Sequence, residues 1–283
     1  MDLANKIGLV LGASRGIGLA CARCLASAGV RLILTRYDWP ESSDAMAREF
    51  DEMNAGHETV ALDLRSRRQV EELTGHIEKR HGRLDILINN IERGGMPVVH
   101  GSYDLEVNRH QWELEMATTL RAKWLVFHNL LPLLKKAEAA AVVNISSIAA
   151  IVGRSGPAAP LFNDGYAAAN RAVSSLTETW AREGAPTIRV NELMLGLIRS
   201  RHAQGTRGWD LLTGREKEAL LDHTPLGRTG TPEEVARSVL FLVRDATFMT
   251  GAIIRMDGGY TLGAEKIPPM PAGILENQRA TRR

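Results

Sequence analysis

Cysteine is scarce in this chain, with Cys21 and Cys24 the only two among 283 residues. That usage excludes a disulfide framework and fits a reducing compartment, so a cytoplasmic location is expected. Their C-x-x-C spacing has no second pair elsewhere to complete a four-ligand zinc site. Three apart in an expected helix, they read as small core residues, and no metal site is expected. Long hydrophobic runs are missing as well. Nothing approaches the about 18 consecutive apolar residues of a membrane span, so no membrane partner is expected. The apolar start at Ile7–Leu11 runs straight into a glycine-rich turn and reads as a first strand, not a signal peptide. Nor is there an excess of one charge sign: 35 Lys and Arg against 33 Asp and Glu leave +2, which gives no reason to expect nucleic acid. Repeats, low-complexity tracts and dividing linkers are also absent.

What is present is an alternation. Apolar runs at 7–11, 31–35, 59–62, 84–89, 141–145, 188–193 and 252–256 are separated by helical patterns near 16–28, 41–54, 66–81, 108–136, 164–183 and 232–243. This predicts one α/β domain over residues 1–260: a doubly wound, Rossmann-type parallel sheet of about seven strands, with helices on both faces. A ligand is then expected at the carboxyl ends of the strands. Two regions break the rhythm. Residues 199–230, polar and rich in Gly and Arg, read as a mobile cover. Residues 261–283, with "KIPPMPAG", read as an extended or disordered tail.

The first strand enters "LGASRGIGLA", which places Gly12, Gly16 and Gly18 where a helix begins. Glycine allows a tight turn and a close backbone approach to a pyrophosphate, and the helix end adds N–H donors and partial positive charge. Ser14, Arg15 and Ile17 belong to the same loop. At the end of the second strand, an acid would hold the adenosine ribose and repel a 2′-phosphate. Here "LILTRYD" has Thr35 and Arg36 instead. With Arg15 nearby, two guanidiniums favour NADP(H) over NAD(H). The alternative leaves both arginines solvated and gives the ribose to Asp38.

Several ordered motifs carry a resemblance: "GASRGIG", "LDL" at 62–64, "INN" at 88–90, "VVNISS" at 142–147, Tyr166, "RVNELMLG" at 189–196, and "TPLGRTGTPEEVA" through "MDGG". Together they resemble the short-chain dehydrogenase/reductase family over about residues 5–260. The resemblance implies that Asp63 and Leu64 border the adenine and that Asn89 lies beside the adenosine. It also implies that Gly196, Ile198 and Ser200 approach the nicotinamide carboxamide, with Leu195 in place of the family's proline. A small-molecule substrate and a homo-oligomer, dimer or tetramer, are implied too.

In that family a tyrosine exchanges the hydroxyl proton and a serine binds the same oxygen. A lysine four residues after the tyrosine holds the ribose and acidifies the phenol, and an asparagine positions a water. Tyr166 and Ser147 match the first two. Asn170 stands at the lysine position and Thr119 at the asparagine position. No other tyrosine restores the spacing, since Tyr37, Tyr103 and Tyr260 are followed four residues later by Glu41, Val107 and Ala264. Ile91 and Glu92 replace a small pair after "NN". A free phenol has a pKa of about 10. An ammonium about 4 Å away, at an effective dielectric of about 20, is worth at most about 4 kcal/mol, or about a thousandfold in acidity. Asn170 supplies no such charge. Arg171 points about 100° around the helix and reads as solvated. The insertion at 148–165 offers Phe162 and Asn163 as substrate contacts, and Asp164 reads as a helix cap. Three readings stay open: a reductase using neutral Tyr166 as acid, a cofactor-binding sensor or assembly partner without catalysis, and a different reaction at Tyr166 and Glu92.

Overall fold

The computed structural model describes residues 1–37, 39–91, 106–200, 209, 212–265 and 267–269. Asp38, Glu92, part of the expected cover and most of the tail lie outside them. The strands are β1 (Ile7–Val10), β2 (Arg31–Arg36), β3 (Glu58–Ala61), β4 (Ile86–Asn89), β5 (Ala140–Ser147), β6 (Ile188–Leu195) and β7 (Ile253–Met256). All pair in parallel in the order β3-β2-β1-β4-β5-β6-β7. The expected doubly wound sheet is therefore present, and its order reverses between β1 and β4, where such sheets open a crevice.

Helices α1 (Gly16–Ser27), α2 (Pro40–Glu52) and α9 (Pro232–Arg244) cover one face. Alternate strand residues such as Val10, Leu32, Ile88 and Val143 pack toward them, with Cys21 fully buried in that core. Burial pushes the Cys21 thiol far up, so it behaves as a core side chain. The other face takes α3 (Arg67–His81), α5 (Ala122–Leu134) and α7 (Asp164–Gly184). There Leu9, Leu87 and Val142 meet Phe127 and Trp180, whose rings stack at 4.2 Å. A third cluster, containing Leu161, Phe162, Tyr166, Met194, Leu220 and Tyr260, sits beyond the carboxyl ends of β5 and β6.

Three elements differ from the sequence expectation. The single helix expected at 108–136 is α4 (Glu106–Glu115), a π-helical stretch at Met116–Arg121, and α5. Such π segments concentrate at functional sites, because the widened turn re-aims side chains. The expected cover contains an ordered helix, α8 (Gly214–Asp222), started by a capping box between Thr213 and Glu216 and anchored by fully buried Leu220. A short helix, α6 (Ala149–Val152), occupies the insertion after β5. Asn163, not Asp164, caps α7: its Oδ1 accepts from Tyr166 N at 2.7 Å. Asp164 is the first helical residue and pairs with Arg154 at 3.4 Å.

Candidate active site

A cavity of about 470 Å³ runs along the carboxyl ends of the strands at the β1/β4 reversal. At one end the glycine loop is tied to β2, with Gly12 N donating to Thr35 Oγ1 at 3.0 Å and Ala13 N to Thr35 O at 3.1 Å. Thr35, at the place where an acid would stand, is thus a buried brace of the loop. Gly12 and Gly16 have φ of +62° and +54°. A Cβ on Gly18 would lie 2.1 Å from Gly12 O, so this turn admits no larger residue. Arg15 gives the start of α1 no side-chain cap among the described residues, and the first turn of that helix stands at the cavity end walled by Gly12, Ser14, Arg15 and Ile17.

The far wall of that end is cationic and aromatic. The Arg15 guanidinium lies 4.3 Å over the Trp39 ring, and Arg36 pairs with Asp44 at 3.2 Å. Arg36 Nε is buried with no hydrogen-bond partner among the described residues. Trp39 has φ of +64°, an uncommon conformation for a bulky side chain and one that clusters at ligand sites. Arg65 holds the Asp63 carboxylate by Nε at 2.8 Å and Nη2 at 2.7 Å, and donates to Tyr37 Oη at 3.2 Å. That bidentate grip keeps Asp63 below the usual carboxylate range. Asp63, Leu64 and Arg65 all line the cavity, and sequence reasoning passed over both Arg65 and Trp39. The "DLR" run gave a signal for the arginine; nothing local flagged the tryptophan.

At the other end stand Ser146, Ser147 and Tyr166; Leu195, Gly196 and Ile198 also line the cavity, as does Ser200, whose Oγ lies 2.6 Å from where a Cβ on Gly16 would stand and so sits against the glycine loop. Tyr166 is 1% exposed, one residue inside the second position of α7, and stacks on Phe162 at 5.9 Å. Phe162 is itself buried, and Asn163 is committed to the cap, so both expected substrate contacts serve the protein's own packing. Ser147 closes β5, its Oγ accepting from Ala149 N at 3.2 Å. The insertion is pinned from far along the chain: Ala158 N donates to the buried Tyr260 hydroxyl at 2.8 Å, across 102 positions. His223 meets the edge of that ring at 4.6 Å.

Not every expected residue reaches the wall. Asn170 is fully buried behind it; its Nδ2 donates to Tyr166 O at 3.0 Å, and its Oδ1 has no hydrogen-bond partner among the described residues. Thr119 is likewise buried and donates to Glu115 Oε2 at 3.0 Å, while its neighbour Thr118 and Ala122 form wall. Asn89 donates to Asn144 Oδ1 at 3.1 Å and braces the central strands. Gly16 and Gly18 shape the loop without walling the cavity, and Arg171 is exposed. Ile91 lines the cavity and packs on the core of the α3/α5/α7 face.

The glycine turn at the start of α1 and the buried Arg36 Nε, without a hydrogen-bond partner among the described residues, fit a dinucleotide laid along this cavity. No helix among the described residues is long and apolar enough to cross a membrane. The Enoyl-(Acyl carrier protein) reductase family model matches residues 12–261. The 3-oxoacyl-[acyl-carrier-protein] reductase FabG of Thermotoga maritima is 30% identical over 264 residues, covering 93% of this chain and all of that one. The 3-oxoacyl-[acyl-carrier-protein] reductase of Synechocystis sp. is 28% identical, covering 92% of this chain and 98% of its own. Among solved structures, the ligand-free aldohexose dehydrogenase of Thermoplasma acidophilum superposes with a TM-score of 0.74 at 27% identity, covering 95% of this chain and 99% of that one. Fold, ordered motifs and relatives agree: the chain belongs to the short-chain dehydrogenase/reductase family and is a short-chain oxidoreductase.

Proposed function

We propose that this chain is an NADP(H)-dependent reductase of a carbonyl-bearing small molecule, with Tyr166 as proton donor and Ser147 as partner of the same oxygen. One observation carries the reading: a single cavity has three guanidiniums, Arg15, Arg36 and Arg65, at one end and Tyr166 beside Ser147 at the other. When bound, the nicotinamide ring supplies a hydride. The residues of the chain do the rest. Gly12, Ser14, Ile17 and the α1 N-terminus bind the pyrophosphate, with Gly16 and Gly18 giving the turn its shape. Arg36 and Arg65 bind a 2′-phosphate, since guanidiniums offer paired, charge-assisted hydrogen bonds. Asp63 and Leu64 border the base, and Asn89 steadies the strands beneath it. Asn170 braces Tyr166 from behind the wall, its Nδ2 donating to Tyr166 O at 3.0 Å. Gly196, Ile198 and Ser200 flank the carboxamide.

Ser147 orients the carbonyl oxygen, and neutral Tyr166 gives it a proton as the carbon is reduced. With Asn170 instead of an ammonium at that position, no charge from there stabilises the phenolate, which favours reduction over alcohol oxidation. Thr119, hydrogen-bonded to Glu115, steadies the π-helical stretch that presents Thr118. We further propose a dimer or tetramer. Partly exposed Trp112 and Trp124 on α4 and α5, and Phe241 and Ile253 on α9 and edge strand β7, supply apolar surface for it. The test pairs cofactor titration with a carbonyl panel. NADPH is expected to bind at least tenfold tighter than NADH, and Tyr166→Phe to abolish turnover while retaining NADPH binding. Turnover surviving in Tyr166→Phe would remove the role assigned to it. NADPH uptake without consumption across the panel would favour a non-catalytic sensor instead.

A further inference from the structure

Behind the reaction end of the cavity lies a buried charged cluster that the chemistry above leaves unused. Glu192 on β6 and Lys123 on α5 are both fully buried. Lys123 Nζ donates to Ile145 O on β5 at 2.6 Å. One Glu192 oxygen, Oε1, accepts from two hydroxyls, Ser146 on β5 and Ser174 on α7, the latter at 3.0 Å. The other, Oε2, has no hydrogen-bond partner among the described residues. The groups facing Glu192 are therefore the Lys123 ammonium from α5, the Ser146 hydroxyl from β5, and the Ser174 and Thr177 hydroxyls from α7. From β7 the paired residue is the apolar Ile253. Burial raises the Glu192 carboxyl above the ordinary range, and the hydroxyls and the ammonium offset part of that rise. Such a group takes up a proton more readily than a surface glutamate.

Of this cluster, Ser146 alone reaches the cavity wall, next to Ser147. A hydroxyl both donates and accepts, so it can pass a proton without moving its oxygen. Resting on the reductase reading, we propose that Glu192 is a proton reserve for the reaction, connected to the cavity through the Ser146 hydroxyl. With Glu192 ionised, Ser146 donates to it. With Glu192 protonated, its O–H donates to Ser146 Oγ, and the serine hydrogen turns toward the cavity. Once Tyr166 has given its proton to the substrate oxygen, the serine hydrogen leaves for a cavity water as the Glu192 proton moves onto Ser146 Oγ. That water gives one of its protons to the phenolate. One O–H bond breaks at Glu192 and one forms at Tyr166, and no electrons are transferred. The Glu192 proton is restored from solvent by the reverse path after product leaves. Lys123 is a positioning residue that steadies the carboxylate while it is ionised. The arrangement puts an internal proton source where the chain has Asn170 in place of a charged neighbour to Tyr166.

The test uses Glu192→Gln, which keeps shape and hydrogen bonding but cannot titrate, and Ser146→Ala, a small truncation that cuts the connection. In the wild type, kcat for carbonyl reduction should fall as pH rises through the Glu192 titration. Both variants should lower kcat about tenfold with KM little changed, and both should lose that limb. A second readout needs no turnover: infrared difference spectra of the cofactor-free protein should show a protonated carboxyl band that titrates, vanishes in Glu192→Gln and shifts in Ser146→Ala. Active variants with the wild-type pH profile would overturn the proposal and leave the reductase reading standing. A wild type without turnover would remove the reductase reading, and the infrared titration would still decide the connection. A band absent from the wild type at every pH would overturn the proposal whatever the activity.

Discussion

The proposed chemical character of the site rests on one exchange, Asn170 at the family's lysine position, because an amide one helical turn from Tyr166 brings no charge to the phenol. Asn170→Lys should raise alcohol oxidation about tenfold or more and reduction less, measured as initial rates in both directions at matched pH. Oxidation needs the phenolate, which a nearby ammonium favours. Arg65 gives a second expectation. It spans Asp63 and Tyr37 at the edge of the cavity. Losing one charge-assisted bond costs about 1.5–3 kcal/mol, so Arg65→Met should weaken NADPH roughly tenfold to a hundredfold and NADH far less, by fluorescence titration. Residue by residue, legibility followed local pattern. The glycines stood out by spacing, and Tyr166 and Ser147 by their place in the ordered motifs that carry the family resemblance. Arg65 and Trp39 did not, because one acts by reaching back two positions to Asp63 and the other through a left-handed backbone that no neighbour announces. Lys123 and Glu192 were invisible for a different reason: composition counts charges and says nothing of which ones fold inward.

Among the elements, caps explain most boundaries. Helix α9 starts with a capping box in which Thr231 Oγ1 accepts from Glu234 N and the Glu234 carboxylate accepts from Thr231 N at 2.9 Å. Arg228 adds a pair at 2.7 Å, and Glu234 is held at about 2, against an ordinary 4.5. A depressed carboxyl stabilises the fold fully above its unfolded value and loses that contribution as pH falls through its folded value. Because Arg228 is solvated, screening trims the effect to about 1 kcal/mol. Glu234→Gln should therefore lower urea stability by about 1 kcal/mol at neutral pH. That gap should close as pH falls from about 4.5 toward 2, as followed by circular dichroism. The number and parallel type of the strands were readable from apolar runs and their spacing, whereas their order came only with the structure. Helix α8 was not, because Gly and Arg dominate its surroundings and only Thr213, Glu216 and Leu220 mark it. The break in the 108–136 helix was hidden too: Met116–Arg121 is no poorer in helix formers than its flanks, and widening of a turn is a tertiary outcome.

For the molecule as a whole, a continuous parallel sheet aligns one end of every strand, so the glycine turn after β1 and the serine at the end of β5 share a cavity without any dedicated linker. The same sheet leaves β7 as an open edge with Ile253 partly exposed. Light scattering should give two or four times the 31.0 kDa chain mass, and Ile253→Lys with Phe241→Glu should reduce it. A monomer at micromolar concentration would remove that expectation. The hydroxyl of Tyr260 fastening Ala158 has a temporal side. A ribosome delivers this polypeptide from its amino end, and the substrate-side wall acquires its peg only when nearly all of the domain has emerged. Until then a nascent chain can assemble its nucleotide half while the reacting half stays unfinished. Shortening the product just ahead of Tyr260 should therefore spare dinucleotide uptake and spoil turnover.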